Sequence, residues 1–211
     1  MAQILVFGDS IACGAGDEEG GWVNRLRKFF DERPFTSPDF YCLVYNLAVS
    51  GDSSGDLLER FEFETKQRLK EREDTIFIFA VGINDSQFIH SQNSSRCSPP
   101  EFKNNLQKLI KLAEKFSSKI IFVGLTPVDE TKTLPIPWNT DKSYKNEYIR
   151  EYNEIIKSVS EEKKIYFIEV FDELMNLDYK DLLADGLHPN SKGHQKIFEI
   201  VNNFLVKNKI V

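Results

Sequence analysis

The sequence predicts a three-layer α/β/α sandwich, on three observations. Five short, β-rich apolar segments recur along the chain, at 3–7, 42–48, 75–81, 119–125 and 164–170. They are apolar at nearly every position instead of alternating, as parallel strands covered on both faces are. Stretches of helical period follow them in turn, at 22–30, 57–69, 100–116, 144–159 and 191–206, each long enough to cross over a sheet with the usual right hand. The 211 residues suit one domain, 1–211, able to bury a substantial core, and no repeat, low-complexity tract or linker divides them.

Taken in order, the first segment lacks a basic n-region and flows straight into Gly8-Asp9-Ser10, so it reads as a core strand and not as a signal peptide. Helix 22–30 presents Trp22 to the core. The second strand ends in Asn46-Leu47-Ala48-Val49-Ser50-Gly51, and Ser53, with Asp56 three residues on, suits the cap of helix 57–69. The third strand closes on Gly82-Ile83-Asn84-Asp85 and gives way to an irregular stretch, 86–99, before helix 100–116. A second irregular stretch, 126–143, follows the fourth strand and contains Leu-Pro-Ile-Pro-Trp. Asn190 or Ser191 caps the last helix. In an open parallel sheet ligands bind beyond the carboxyl ends of the strands, so these strand ends, walled by the two irregular stretches, are where function is expected.

Composition narrows the partners. With 41% hydrophobic and 28% charged residues the balance is that of a soluble globular protein. A net charge of −6 argues against nucleic acid or an anionic membrane surface, both of which select basic patches. The longest strongly apolar runs are strand-sized, far short of the ~20 residues that span a bilayer, so no integral membrane association is expected. Cys13, Cys42 and Cys97 are odd in number and unlike a C-x-x-C motif, which predicts free thiols and a reducing, cytoplasmic setting.

Ser10 follows the first strand at the sheet's carboxyl edge, where a nucleophile or a simple turn could stand. Asp185 and His188 lie three residues apart in the last loop. A carboxylate there can accept the imidazole Nδ1–H and leave Nε2 free to take a proton from a serine hydroxyl; the pair could equally be a helix entry with an exposed histidine. Gly51 allows close backbone approach and an N–H donor, and the Asn84 amide can donate from its side chain, although each could be only a turn. Asp9, Asp85 and Trp138 complete the candidates, as substrate contacts.

It is the conjunction of nucleophile, two donors, orienter and base at the ends of one sheet that points to function. The chain resembles the GDSL/SGNH hydrolases, whose four marker residues match Ser10, Gly51, Asn84 and His188. Gly14, Asp185 and Pro189-Asn190 extend the match from about residue 4 to about residue 195. The resemblance implies a flavodoxin-like five-stranded parallel sheet of order 2-1-3-4-5. It further implies a Ser10–His188–Asp185 triad, an oxyanion hole from Ser10, Gly51 and Asn84, no metal or cofactor, and hydrolysis of a small-molecule ester or thioester through an acyl-enzyme, without fixing the substrate. It leaves the oligomeric state open. Short acyl chains are expected because the acidic surface and the lack of a lid-like apolar helix offer no lipid interface.

Three rival readings are sharp enough to test. Gly51-Asp52-Ser53-Ser54-Gly55 satisfies G-x-S-x-G and would make Ser53 an elbow nucleophile, but Ser10 and Asn84 would then have no role. Gly14-Ala15-Gly16 followed by Gly20-Gly21 is glycine-rich without the dinucleotide spacing, and Asp17, Glu18 and Glu19 would oppose a pyrophosphate. A catalytically silent carbohydrate- or protein-binding member of the fold is the third. His90 and His194 are expected to be solvated.

Overall fold

The computed structural model describes residues 2–33, 41–69 and 74–211. Its main sheet has five parallel strands: β1 (Ala2–Gly8), β2 (Cys42–Asn46), β3 (Asp74–Ala80), β6 (Lys119–Val123) and β8 (Tyr166–Ile168), in the order β2-β1-β3-β6-β8. Counted among themselves in chain order these are 2-1-3-4-5, as expected. The strand bearing Ser10 at its end thus lies inside the sheet, with Ile4 opposite both Val44 and Ile76.

Helices close both faces. α2 (Gly21–Glu32) packs against α8 (Ser191–Lys207), while α3 (Ser54–Lys66), α4 (Pro99–Ala113) and α6 (Asn146–Lys163) pack in succession. Aromatic side chains fill one interlayer: Phe61 of α3 sits 5.0 Å from Phe7 and 5.6 Å from Phe79, and Phe79 is 5.2 Å from Phe122. Ring pairs at these separations add to the area they bury.

The differences from expectation have local causes. α3 starts earlier because Ser53 and Asp56 form a full capping box. α6 starts later because the backbone of Tyr144 is tied to Thr133, whose C=O accepts its N–H at 3.1 Å. β8 keeps only three residues, since Lys164 ends α6 in the left-handed region and Val170 opens a short helix, α7 (Phe171–Met175). Two four-residue helices, α1 (Ser10–Cys13) and α5 (Glu130–Thr133), were not expected. The two irregular stretches hold a second sheet of two-residue strands, β4 (Phe88–Ile89), β5 (Ser94–Ser95) and β7 (Lys142–Ser143), antiparallel in the order β5-β4-β7. It stands at the carboxyl end of the main sheet. Among the described residues no helix is long and apolar enough to cross a membrane.

Candidate active site

β1 ends at Gly8, and Asp9 turns the chain into α1 by accepting the Ile11 N–H on Oδ1 at 3.0 Å. Ser10 is therefore the first residue of a helix, where no preceding carbonyl claims its N–H. Gly14 ends α1 at φ +104, and a Cβ there would lie 2.4 Å from the Gly20 carbonyl oxygen; only glycine lets the two loops touch. His194 pins the same loop: Nδ1 accepts the Trp22 N–H at 3.3 Å, leaving Nε2–H to donate to the Ala15 carbonyl at 3.0 Å. It is wholly buried, and burial holds its pKa below the usual value. The expectation of a solvated His194 is thus corrected, since the packing of α8 on α2 seals it. His90 is exposed, its Nε2 2.8 Å from Ser143 Oγ.

The other end of the chain returns to meet Ser10. Ala184 N–H donates to the His188 carbonyl at 2.8 Å, and Asn190 caps α8 by accepting from the N–H groups of Lys192 and Gly193. In the loop so closed, Asp185 Oδ1 accepts the N–H groups of Leu187 and His188 at 2.9 and 2.8 Å, and Oδ2 lies 2.7 Å from His188 Nδ1. His188 Nε2 is 3.0 Å from Ser10 Oγ. Burial alone would raise the Asp185 pKa, but the bonds from the His188 ring and the two N–H groups outweigh it and hold it at about 2. The carboxylate is ionised at any ordinary pH and fixes the proton on Nδ1, leaving Nε2 to accept from Ser10.

Gly51 and Asn84 flank this group. Gly51 has φ +88 with nothing within 4 Å of where a Cβ would stand, so glycine is required by backbone conformation and not by space. The Gly51 loop is braced from below: Arg60 donates to the Leu47 carbonyl at 2.7 Å and pairs with Asp52 at 2.6 Å. Asn46 Nδ2 reaches the Ala12 carbonyl at 2.9 Å. Arg96 Nη1 donates to the Gly51 carbonyl at 2.8 Å and Nη2 to Asp56 at 2.9 Å. Asn84 Nδ2 donates to the Asp52 carbonyl at 3.0 Å, and its Oδ1 accepts from the Tyr144 hydroxyl at 2.9 Å.

Ser10, Gly51, Asn84 and His188 open together onto a cleft of about 440 Å³, walled also by Trp138, Tyr144, Gln87, Arg96, Ile136 and Lys142. Trp138 is 56% exposed, its ring 6.4 Å from that of His188 and 22° from parallel to it. Asp9 and Asp85 do not reach the cleft, which corrects their expected role as substrate contacts. Asp85 is wholly buried and accepts from Ser54 N–H at 2.9 Å and from Ser54 Oγ; it anchors the start of α3, and burial raises its pKa. Asp9 is 2% exposed. Burial, with the Asp85 and Asp52 charges, pushes its carboxyl up to about 7 against the opposing Ile11 N–H and His188.

The rival features resolve locally. Ser53 caps α3, its hydroxyl 2.7 Å from Asp56 Oδ2. Asp17 is tied to Arg25 and to the N–H groups of Glu19 and Gly21, so the glycine-rich loop is closed by its own carboxylate. Cys13 is an exposed free thiol and Cys97 a buried one, and Cys42 is buried. Sequence reasoning did not single out Gln87, Arg96, Lys142, Tyr144 or Arg60, none of which stands in a local pattern. Among the described residues no group of three or more His, Cys, Asp or Glu could hold a metal ion.

The model of the GDSL-like lipase/acylhydrolase family matches residues 6–196. The chain belongs to this family. It is an ester-cleaving hydrolase, with curated relatives of the same kind. It is 25% identical to esterase TesA of Pseudomonas aeruginosa over 199 residues, 94% of this chain and 85% of that one. It is likewise 25% identical to the isoamyl acetate-hydrolyzing esterase of Saccharomyces cerevisiae over 228 residues, 96% and 87% of the two chains. Solved structures share the fold: the lipase/acylhydrolase of Enterococcus faecalis has a TM-score of 0.77 at 22% identity, covering 97% of this chain and 95% of its own. The acetylxylan esterase Axe2 of Geobacillus stearothermophilus gives 0.71 at 19%, covering 97% and 92%.

Proposed function

We propose that Ser10 is the nucleophile of a serine esterase, His188 its general base and Asp185 the group that orients His188. The observation that carries this is the unbroken chain Ser10 Oγ···His188 Nε2, 3.0 Å, and His188 Nδ1···Asp185 Oδ2, 2.7 Å, opening onto a cleft shared with Gly51 and Asn84. Ser10 Oγ attacks the ester carbonyl as its proton passes to Nε2. The N–H groups of Ser10 and Gly51 and the Asn84 amide hold the oxyanion. His188 then protonates the departing alcohol and activates a water that releases the acid from Ser10. Asp185, held at about 2, stays charged beside the imidazolium and stabilises it.

The acyl half is short. The cleft is toward the small end of ligand pockets, and Gln87, Asn139, Arg96 and Lys142 interrupt the apolar lining that Ile136, Trp138 and Leu187 supply. Trp138 supplies a flat apolar face at the rim. This fits acetyl esters, the acyl group that the names of the yeast isoamyl acetate-hydrolyzing esterase and the Geobacillus acetylxylan esterase share. The free thiols of Cys13 and Cys97 fit a reducing, cytoplasmic setting. A fluorophosphonate probe followed by peptide mapping tests the assignment: label on the Ser10 peptide, lost in Ser10→Ala, is the expected result. Label elsewhere, or none on active protein, would overturn it.

A further inference from the structure

The small antiparallel sheet sets what stands behind Asn84. Phe88 pairs with Ser143 and Ile89 with Lys142, so the same register, continued by one residue, brings Gln87 opposite Tyr144. Their side chains meet: Gln87 Nε2 donates to the Tyr144 hydroxyl oxygen at 2.6 Å, and that hydroxyl donates to Asn84 Oδ1 at 2.9 Å. Asn84 Nδ2 gives one of its two hydrogens to the Asp52 carbonyl, 3.0 Å away and one residue beyond Gly51. All three side chains are buried.

The directions follow from donor and acceptor counts. An amide nitrogen only donates, so Gln87 occupies an acceptor position of the phenol and its hydroxyl hydrogen goes on to Asn84. With Oδ1 taken by Tyr144 and one hydrogen by Asp52, Asn84 retains a single N–H on the side of the cleft it shares with Ser10 and Gly51. A carboxamide turned over would set Oδ1 against the Asp52 carbonyl, two acceptors with no proton between them. A hydroxyl donating to Oδ1 also polarises the amide and strengthens its remaining N–H as a donor.

We infer that Tyr144, itself oriented by Gln87, is a positioning residue that locks the Asn84 carboxamide with its N–H toward the oxyanion, and so acts on kcat through Asn84. The inference rests on the reading of Asn84 as an oxyanion donor. Two further features agree with it. Gln87 Nε2 to Tyr144 is the one hydrogen bond that the Gln87 side chain makes to the described residues, so orienting the phenol is what that amide does in the fold. Burial raises the Tyr144 pKa, so the phenol remains a neutral donor throughout the working range.

Steady-state kinetics on p-nitrophenyl acetate with four proteins provides the test: wild type, Tyr144→Phe, Asn84→Ala and the double variant. Loss of an oxyanion donor typically costs ~10²- to 10³-fold in kcat, and loss of its orientation alone should cost about tenfold. Tyr144→Phe is therefore expected to lower kcat about tenfold with KM within about twofold. Adding it to Asn84→Ala should cost nothing more, because the route through Asn84 is already gone. A raised KM with unchanged kcat, or the same tenfold loss in the Asn84→Ala background, would overturn the inference while leaving the oxyanion assignment standing. Near-normal kcat in Asn84→Ala would overturn both. Should Tyr144→Phe unfold, Gln87→Met keeps the question decidable: its expected fall in kcat in wild type must likewise vanish in Asn84→Ala, and its persistence there counts against the relay.

Discussion

Replacing Asp9 by asparagine removes a carboxyl that the fold keeps almost wholly from water, at 2% exposure. Asn is isosteric, and its Oδ1 can still accept the Ile11 N–H that now lies 3.0 Å from Asp9. The substitution therefore deletes a proton-binding site while keeping the cap of α1. Burial raises the Asp9 pKa from 3.8 to about 7, so the folded protein binds this proton more tightly than the unfolded chain does. Stability from this group is fully present below the unfolded value and is lost as pH rises through the folded one. Some three pH units at 1.36 kcal/mol each make about 4 kcal/mol in all, of which roughly 2 to 3 kcal/mol is lost between pH ~5 and pH ~8. Urea unfolding of wild type and Asp9→Asn at those two pH values measures it directly. The variant's advantage should be greater at the higher pH by that amount; an equal advantage at both, or a deficit at the higher one, would show that Asp9 is a satisfied, ionised carboxylate and refute the reasoning.

Three further outcomes are expected. Ser53→Ala should keep esterase activity and fluorophosphonate labelling, losing at most the ~1 kcal/mol of a helix cap in thermal or urea unfolding. His194→Ala leaves the buried Trp22 N–H and Ala15 carbonyl without their ring partner, which should destabilise the fold by about 2 kcal/mol or more while leaving kcat/KM near normal in the protein that stays folded. Because burial lowers the His194 pKa, its contribution is present above the unfolded value and is lost as pH falls through the folded one, so the variant should show a flatter acid limb in unfolding experiments. Across p-nitrophenyl esters, acetyl or butyryl turnover should exceed palmitoyl turnover; the reverse order would remove the short-acyl reading.

The main sheet was legible in the sequence because its strands are covered on both faces. Ile4 to Phe7 and Ile76 to Phe79 are wholly buried, and such runs carry their meaning locally. Ser10, Gly51, Asn84, Asp185 and His188 were legible as candidates because each lies just past a strand or in the loop just before the last helix, and because together they match the marker pattern of the family that the chain resembles. The second sheet was not, since strands of two residues such as Ser94–Ser95 and Lys142–Ser143 have no period to read. With it went Gln87 and Tyr144, which become neighbours only through its register. Burial of single polar residues was equally hidden: Asp9, Asp85 and His194 look like surface residues in sequence, and only the packing of helices across them shows otherwise. The Ser53 cap could be foreseen because both members of its box lie within four residues.

Ser10 and His188 are hydrogen-bonded across 178 positions of sequence, and this separation orders events during synthesis. A ribosome makes Ser10 long before it makes His188. β1 can pair with β2 and β3 as soon as those emerge, so most of the sheet can form before His188 is made. The contact between Ser10 and His188 forms only when the loop at 184–190 arrives, and α8, which follows that loop, packs on α2. On the roles proposed for Ser10 and His188, a chain cut short before residue 188 lacks the base, and its serine stays unactivated.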